Sequence, residues 1–420
     1  MKALTKISIG FLSLAAVALW FTSCSSEDVT SGTNQGKMSS LTLTINTGKS
    51  MGSRATDWNT DPAGSDKTTT ENKISRAAIG IFSSTGDVKT IVELTLGTTG
   101  TNSLTKDDAN NATAKIVTSS LVKDDEVLVA INAPTGTFTG CQNKTAFMGK
   151  TETAAVALAN STDAQVADNI PMFGSAALSS SDGSNFTTSV SVIHMIAKVS
   201  LTELKVDFKA GSAYADAEFT PKAVFLINVP NSLQFNKDNA WLSAGYEHGW
   251  GTFASAPDFT YGTTTANTDA ATTFTGSTFA KYLTTSELTG KTLKGVAGSS
   301  DDTYDKSVYF YTMPNEEVGD DKATKLVIAG HFKSAKAGID KVVYYPLFLN
   351  AKVNSTGTGY DPAVTGTDAK KVYPNKNYNC KVVIRNIGAI SPNTDLTPQA
   401  ASITITVTDF EEAEQKTEFN

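Results

Sequence analysis

Three histidines, three cysteines and three arginines hold most of the reactive chemistry open to this 420-residue chain. His194, His248 and His331 lie far apart, and none has an acid or a cysteine at metal-ligand spacing. His194 falls inside a strand pattern, where a hydrogen-bonded core or edge histidine is the ordinary outcome. No G-x-S-x-G, P-loop, H-E-x-x-H or EF-hand string occurs. The acid clusters "KDDE" (123–126), "SSDD" (299–302) and "GDDK" (319–322) fall in predicted turns. They read as solvated turn acids, because a calcium ion needs about six or more converging oxygens. The sequence therefore offers no catalytic residue, no metal site and no cofactor, and an enzyme is not expected. Cys141 and Cys380 are too isolated for a disulfide framework and read as small buried hydrophobes. Arginine occurs only at Arg54, Arg76 and Arg385, so an Arg-specific protease has few places to cut. Arg54 is flanked by the small residues Gly52, Ser53, Ala55 and Thr56, while Arg76 lies in a predicted strand.

The strands around these residues carry a second signal. "SSLTLTIN" (39–46) sets Leu41, Leu43 and Ile45 in alternation with Thr42 and Thr44, the period of a half-buried strand. A near twin, "SITITVTDF" (402–410), stands at the other end. There Ile403, Ile405 and Val407 alternate with Thr404, Thr406 and Thr408, and Phe410 follows.

The N-terminal stretch "MKALTKISIGFLSLAAVALWFTSC" has a basic start, an apolar run and small residues before Cys24, which is the pattern of a secretory signal over residues 1–23. The run is short for a membrane-spanning helix. "FTSC" resembles a bacterial lipobox, which implies acylation of Cys24. "SSED" after it resembles the acidic tag of surface-exported lipoproteins.

Beyond the signal, Thr, Ser, Gly, Ala, Asn and Asp dominate, and Val and Ile recur in short runs, as in all-β surface proteins. The net charge of −7 and the lack of a basic cluster argue against nucleic acid as a partner. Residues 25–38 and 47–73 read as tether and loop. Strands are expected at 74–82, 88–96, 126–132, 222–230, 307–314, 324–332, 341–349 and 377–390. The 126–132 strand is nearly all apolar and so is expected to be covered on both faces. "KTETAAVALAN" (150–160) is the best helix candidate. Residues 189–208 are expected as one long strand or a hairpin. Residues 231–303 read as a long irregular insertion. Within it, Trp241, Tyr246 and Trp250 could form a carbohydrate platform or a satellite core under the loop. The expected fold is all-β: two tandem β-sandwiches with few short helices.

Several of these features together resemble the fimbrillins, the lipoprotein pilins of Bacteroidales surface fimbriae, and most nearly their short-fimbria subunits. The lipobox Cys24 is one feature, and "LTLTI" followed by "SRA" looks like the propeptide strand and Arg-type maturation site. "VIHMIAKVSL" (192–201) resembles the R-x-x-A-K-V strand of the second domain, with His194 where Arg is usual. "YFYTMPNE", "YYPLFLN" and "VYPNKNYNCKVVIRNIG" match further strands, the last through Asn375, Tyr378 and Gly388. "ITVTDF" looks like the terminal V-x-V-x-x-W strand, with Phe410 in place of Trp.

The resemblance implies a transthyretin-like sandwich pair. It divides the chain into a lipidated propeptide at 24–54, an N-terminal sandwich at 55–187, a C-terminal sandwich at 188–401 and a terminal donor strand at 402–420. Cleavage between Arg54 and Ala55 would release the strand carrying Leu41, Leu43 and Ile45. The open edge would template strand addition by the 402–410 strand of a neighbour, through Ile403, Ile405, Val407 and Phe410. A one-residue slip would turn the apolar residues outward, so register is fixed. The implied partners are further copies of the chain, accessory fimbrial subunits, an Arg-specific maturation protease and, before cleavage, the outer membrane through lipid. The implied location is the outer membrane and then the surface fimbrium. Alternatives are an intramolecular pairing of the twin strands, a glycan-binding surface lipoprotein using Trp241 and Trp250, and a tip or accessory subunit.

Overall fold

A computed structural model of the chain describes residues 38–47, 71–107, 111–158, 165, 168–180, 184–242, 245–249, 277–278, 282–284, 291–295, 298–299, 301–304, 308–356, 359–363, 366–392, 396 and 401–409. The main strands up to His194 are β1 (Met38–Asn46), β2 (Arg76–Phe82), β3 (Val88–Thr95), β4 (Ser103–Lys106), β5 (Asn111–Ser119), β6 (Glu126–Ile131), β7 (Met172–Ala177), β8 (Ser179–Ser180), β9 (Asn185–Ser191) and β10 (Ile193–His194). They form two sheets, in the orders β4-β5-β1-β9-β8 and β10-β7-β6-β2-β3. Alternation along each strand turns one set of apolar residues toward the other sheet. Leu41, Leu43, Ile45, Ala114 and Ile116 from the first sheet share a cluster with Ile79, Ile81, Val127, Val129 and Ile131 from the second. The unbroken apolar run of β6 has its expected explanation. Its odd-numbered residues join this core, while Leu128 and Ala130 are covered by a second cluster on the opposite face.

Gly174 on β7 allows the crossing between these sheets. A β-carbon there would stand 2.3 Å from the carbonyl oxygen of Ser191, so the backbone of β9 passes too close for any side chain. The chain then leaves the first sheet at once, and β10 pairs with β7 in the second. Residues 189–208 are thus three strands rather than one strand or a hairpin. Each belongs to a different sheet, so breaks at Val192 and at Met195–Ile196 are required.

Further on lie β11 (Ala197–Val206), β12 (Glu218–Ile227), β13 (Val308–Thr312), β14 (Lys325–Ser334), β15 (Ile339–Phe348), β16 (Lys376–Ile384) and β17 (Ala401–Asp409). In a third sheet β11 pairs with β13 and Thr303–Tyr304, and on its other side runs parallel to β16; β17 lies antiparallel to β16 at the edge. The fourth sheet has the order β12-β14-β15, with Leu283–Thr284 and Leu293–Lys294 added on β12. Pro221 is tolerated inside β12 because a bulge falls between Pro221 and Ala223. The bulge also changes the face: Phe219 before it and Val224 and Leu226 after it all join the same cluster. That cluster includes Val199, Leu201, Tyr378 and Val382 from the third sheet.

The all-β expectation holds. The described helices are short: Lys144–Met148, capped by Asn143, whose Oδ1 accepts the Ala146 N–H at 2.8 Å, and Ala154–Ala157. The helix expected over 150–160 is therefore largely wrong. Thr151–Thr153 pairs instead with Ser232–Gln234, and this ladder outweighs the helical propensity of the alanines after it. Within 231–303 the described residues form strands of only two or three residues.

Candidate functional site

The released strand foreseen from the sequence is not at an edge but inside a sheet. β1 runs antiparallel to β5 from Met38↔Ser119 to Asn46↔Asn111, and parallel to β9 from Ser40↔Asn185 to Asn46↔Ser191. Leu41, Leu43 and Ile45 are each at most 1% exposed. Burying three such side chains stabilises the slot by about 5–9 kcal/mol. Both ends of the β1–β9 pairing are pinned: Ser40 Oγ donates to Asn185 Oδ1 at 2.6 Å and Asn46 Nδ2 to Ser189 Oγ at 2.7 Å. Taking β1 out would leave two facing rows of backbone N–H and C=O groups, on β5 and on β9, above an uncovered apolar floor. β9 would then keep only its two-residue pairing with β8 in that sheet.

The twin strand β17 lies in another sheet. Its register on β16 sets Ile403 opposite Val382, Ile405 opposite Cys380 and Val407 opposite Tyr378, and those three β16 side chains are fully buried. The two twins therefore do not pair with each other. β1 and β17 are both nine residues long, and both space three aliphatic residues at every second position. Cys24, Arg54, Ala55, Trp250 and Phe410 lie outside the described residues.

Arg76 is held in the body of the fold. Its guanidinium donates to the carbonyls of Ala133 at 2.9 Å and Asn132 at 2.7 Å and to Asn169 Oδ1 at 2.9 Å. Cys141 and Cys380 are buried, as expected, both are free thiols, and burial pushes the Cys380 thiol up to about 12. His194 is a buried histidine, also as expected. Its Nε2 lies 3.1 Å from the carbonyl oxygen of Glu71 and its Nδ1 3.3 Å from Asn375 Oδ1, and burial lowers its pKa. Trp241 is half-buried and bridges Leu233 through its backbone, and Tyr246 sits in the short strand Tyr246–His248.

One group of residues escaped the sequence reading. The Glu71 carboxylate accepts from Lys198 Nζ at 2.8 Å and from the Tyr311 hydroxyl at 2.6 Å, and Lys198 lies over the Tyr309 ring. Glu71 comes from a stretch that reads as polar loop. Lys198 comes from a strand whose alternation marks it only as the face away from Val199. Neither carried a signal of the other.

No protein-family model matches the sequence, and no curated protein matches it. Solved structures do. A fimbrilin of Porphyromonas gingivalis W83 superposes with a TM-score of 0.55 at 15% identity, over 90% of this chain and 99% of that one. A candidate cell adhesion protein of Bacteroides eggerthii gives 0.56 at 18% identity, over 90% and 98%. Another from Parabacteroides distasonis gives 0.56 at 14% identity, over 90% and 98%. At these identities the likeness speaks for the fold. From β1 to β17, the chain has the all-β fold of Bacteroidales fimbrilins and candidate cell adhesion proteins.

Proposed function

We propose that the chain is a fimbrial subunit, a structural protein rather than an enzyme, which polymerises by exchanging the β1 slot for the β17 strand of a neighbour. The observation that carries this reading is the position of β1. A strand buried in the middle of a sheet, joined to the rest of the fold through residues that include the Arg54–Ala55 bond, becomes a removable part once that bond is cut. The vacated slot calls for nine residues with aliphatic side chains at every second position, and β17 has that sequence. Head-to-tail insertion does not close on itself, so it grows a filament. The fold shared with a fimbrilin supports the same reading.

In this reading residues 1–23 direct export, acylated Cys24 holds the precursor on the outer membrane, and 24–54 is the propeptide. Residues 55–187 and 188–401 are the two sandwiches, and 402–420 is the donor. The partners are further copies of the chain, other fimbrial subunits and an Arg-specific protease. Phe410 follows Val407 by three residues, so the two-residue period sets it on the face of Thr404, Thr406 and Thr408, at the end of the donor. The donor must first leave β16, because a strand cannot pair in two sheets at once.

The test is to treat the purified precursor with trypsin under native conditions and look for filaments by electron microscopy. Filaments, with heat-resistant ladders on a gel, are expected from the full chain. A chain lacking 402–420 should be cut and stay monomeric. Ladders from that truncated chain would sink the assignment of β17 as donor.

A further inference from the structure

β9 lines one wall of the β1 slot, and the same chain runs through His194 into β11, the strand beside β16. A layer of polar contacts joins the part up to His194 to the part after it, beside the apolar cluster that spans both, in which the Phe138 and Phe235 rings meet edge-on at 5.5 Å. Thr151–Thr153 forms a ladder with Ser232–Gln234, extended by Ala154 N–H to the Asn231 carbonyl at 3.0 Å and Phe235 N–H to the Lys150 carbonyl at 2.8 Å. Gln165 grips the backbone of Tyr311 from both sides, its Nε2 donating to the carbonyl at 2.8 Å and its Oε1 accepting the N–H at 2.6 Å.

At the centre is Glu71. Its carboxylate takes Lys198 Nζ and the Tyr311 hydroxyl, and its backbone carbonyl faces His194. The side chains of Lys198 and Glu71 are only 9% and 10% exposed. In such surroundings a buried ion pair adds little net stability but fixes geometry strongly, since moving one partner away leaves the other charge stranded. Around this pair, Tyr309 and Tyr311 present their rings to Lys198, and burial lowers the pKa of His194.

We infer that Glu71, Lys198 and Tyr311 form a clasp that locks the two parts of the molecule into one rigid body, so that the β1 slot and the β16–β17 edge keep a fixed relation. Glu71 also ties the chain that follows the maturation segment to the part after His194. The inference concerns the intact precursor and holds whether or not the chain assembles. Glu71, Lys198 and Tyr311 are positioning residues in it.

Native-state hydrogen exchange on the full-length precursor tests the clasp. In Lys198→Met, the amides of Ala154, Phe235 and Tyr311 should exchange together at least tenfold faster, while those of Val129 in β6 and Ile328 in β14 keep their rates. Tyr311→Phe keeps the ion pair and removes one hydrogen bond, so the same three amides should accelerate by a smaller factor. Acceleration at Tyr311 alone, or at none of the three, would show that the contacts are local and overturn the clasp. Equal acceleration of the seam and of Val129 and Ile328 in both variants would overturn it too, because the seam would then open only with the whole fold.

Discussion

Asn46 donates its side-chain amide to Ser189 Oγ across 2.7 Å, a side-chain tie on the last residue of β1. With Ser40 bonded to Asn185 at the other end, the strand is fastened to β9 along its length although nothing covalent joins them nearby. On the proposed reading, a strand held this way is stable in the precursor and becomes removable once the chain is cut after Arg54.

Substitutions in β1 should therefore act on the precursor alone. Leu43 is fully buried, so Leu43→Ala should cost about 2–5 kcal/mol. Denaturant unfolding of the precursor reads this loss. Filaments made from the variant should match the parent in heat resistance, because residue 43 is no longer in them. Weaker filaments would mean that β1 stays in the assembled subunit.

Neighbouring positions of β17 should differ in assembly. Ile405→Asp would bring a carboxylate into an apolar pocket at a cost of several kcal/mol and should abolish ladders. Thr406→Asp points to the opposite face and should leave most of them. Equal damage from both would contradict insertion with a two-residue period.

The order of proteolysis follows from the ties on Arg76. Its guanidinium is bonded to Ala133, Asn132 and Asn169, and its backbone lies in β2. Brief trypsin treatment should yield a chain beginning at Ala55, with none beginning at Ala77, by N-terminal sequencing. Native fibres whose subunits begin before Leu41 would refute the maturation site.

Lipidation should depend on one atom, the sulfur of Cys24. Cys24→Ser should lose radiolabelled palmitate and membrane association, since acyl chains supply the anchoring. Full palmitate incorporation in this variant would remove the lipobox assignment.

Glu152 gives the fold a pH dependence. Its carboxylate is buried and unpartnered on the Thr151–Thr153 strand, and burial raises its pKa to about 8, with Arg76 opposing. Between its ordinary value of 4.5 and about 8, the folded chain keeps a proton that the unfolded chain releases, so stability falls as pH rises through that window. Glu152→Gln should match the parent near pH 5 and exceed it near pH 8, by urea midpoints. Parallel curves for the two proteins would disprove the burial argument.

Alternation made β1 and β17 legible in the sequence, and an unbroken apolar run did the same for β6, which has both faces committed to a core. The neighbours of β1 were not legible. Along the parallel pairing each β1 residue meets one 145 positions later, and no local pattern encodes which strand lies beside which. Residues 189–208 misled for a related reason: the alternation continues while the chain changes sheet twice, at a crossing marked only by Gly174 on a different strand. The helix at 150–160 failed because the partner ladder at 232–234 lies far along the chain. The Glu71–Lys198 pair was invisible because a single acid in a polar stretch looks the same whether it is solvated or buried.

The parallel pairing of β1 with β9 also sets an order of events as the chain folds. β1 is made early, can join β5 first, and must then wait for β9 to arrive before the sheet closes. Closing so long a loop is slow, and the early strand acts as the template on which the late one docks. On the proposed reading, a chain from which β1 has been cut would keep the docked arrangement without the template that produced it, and its shape would be held by the barrier to unfolding and not by equilibrium. Denatured and returned to buffer, the cut chain should regain its fold far less often than the uncut one, and addition of the 38–47 peptide should restore the yield.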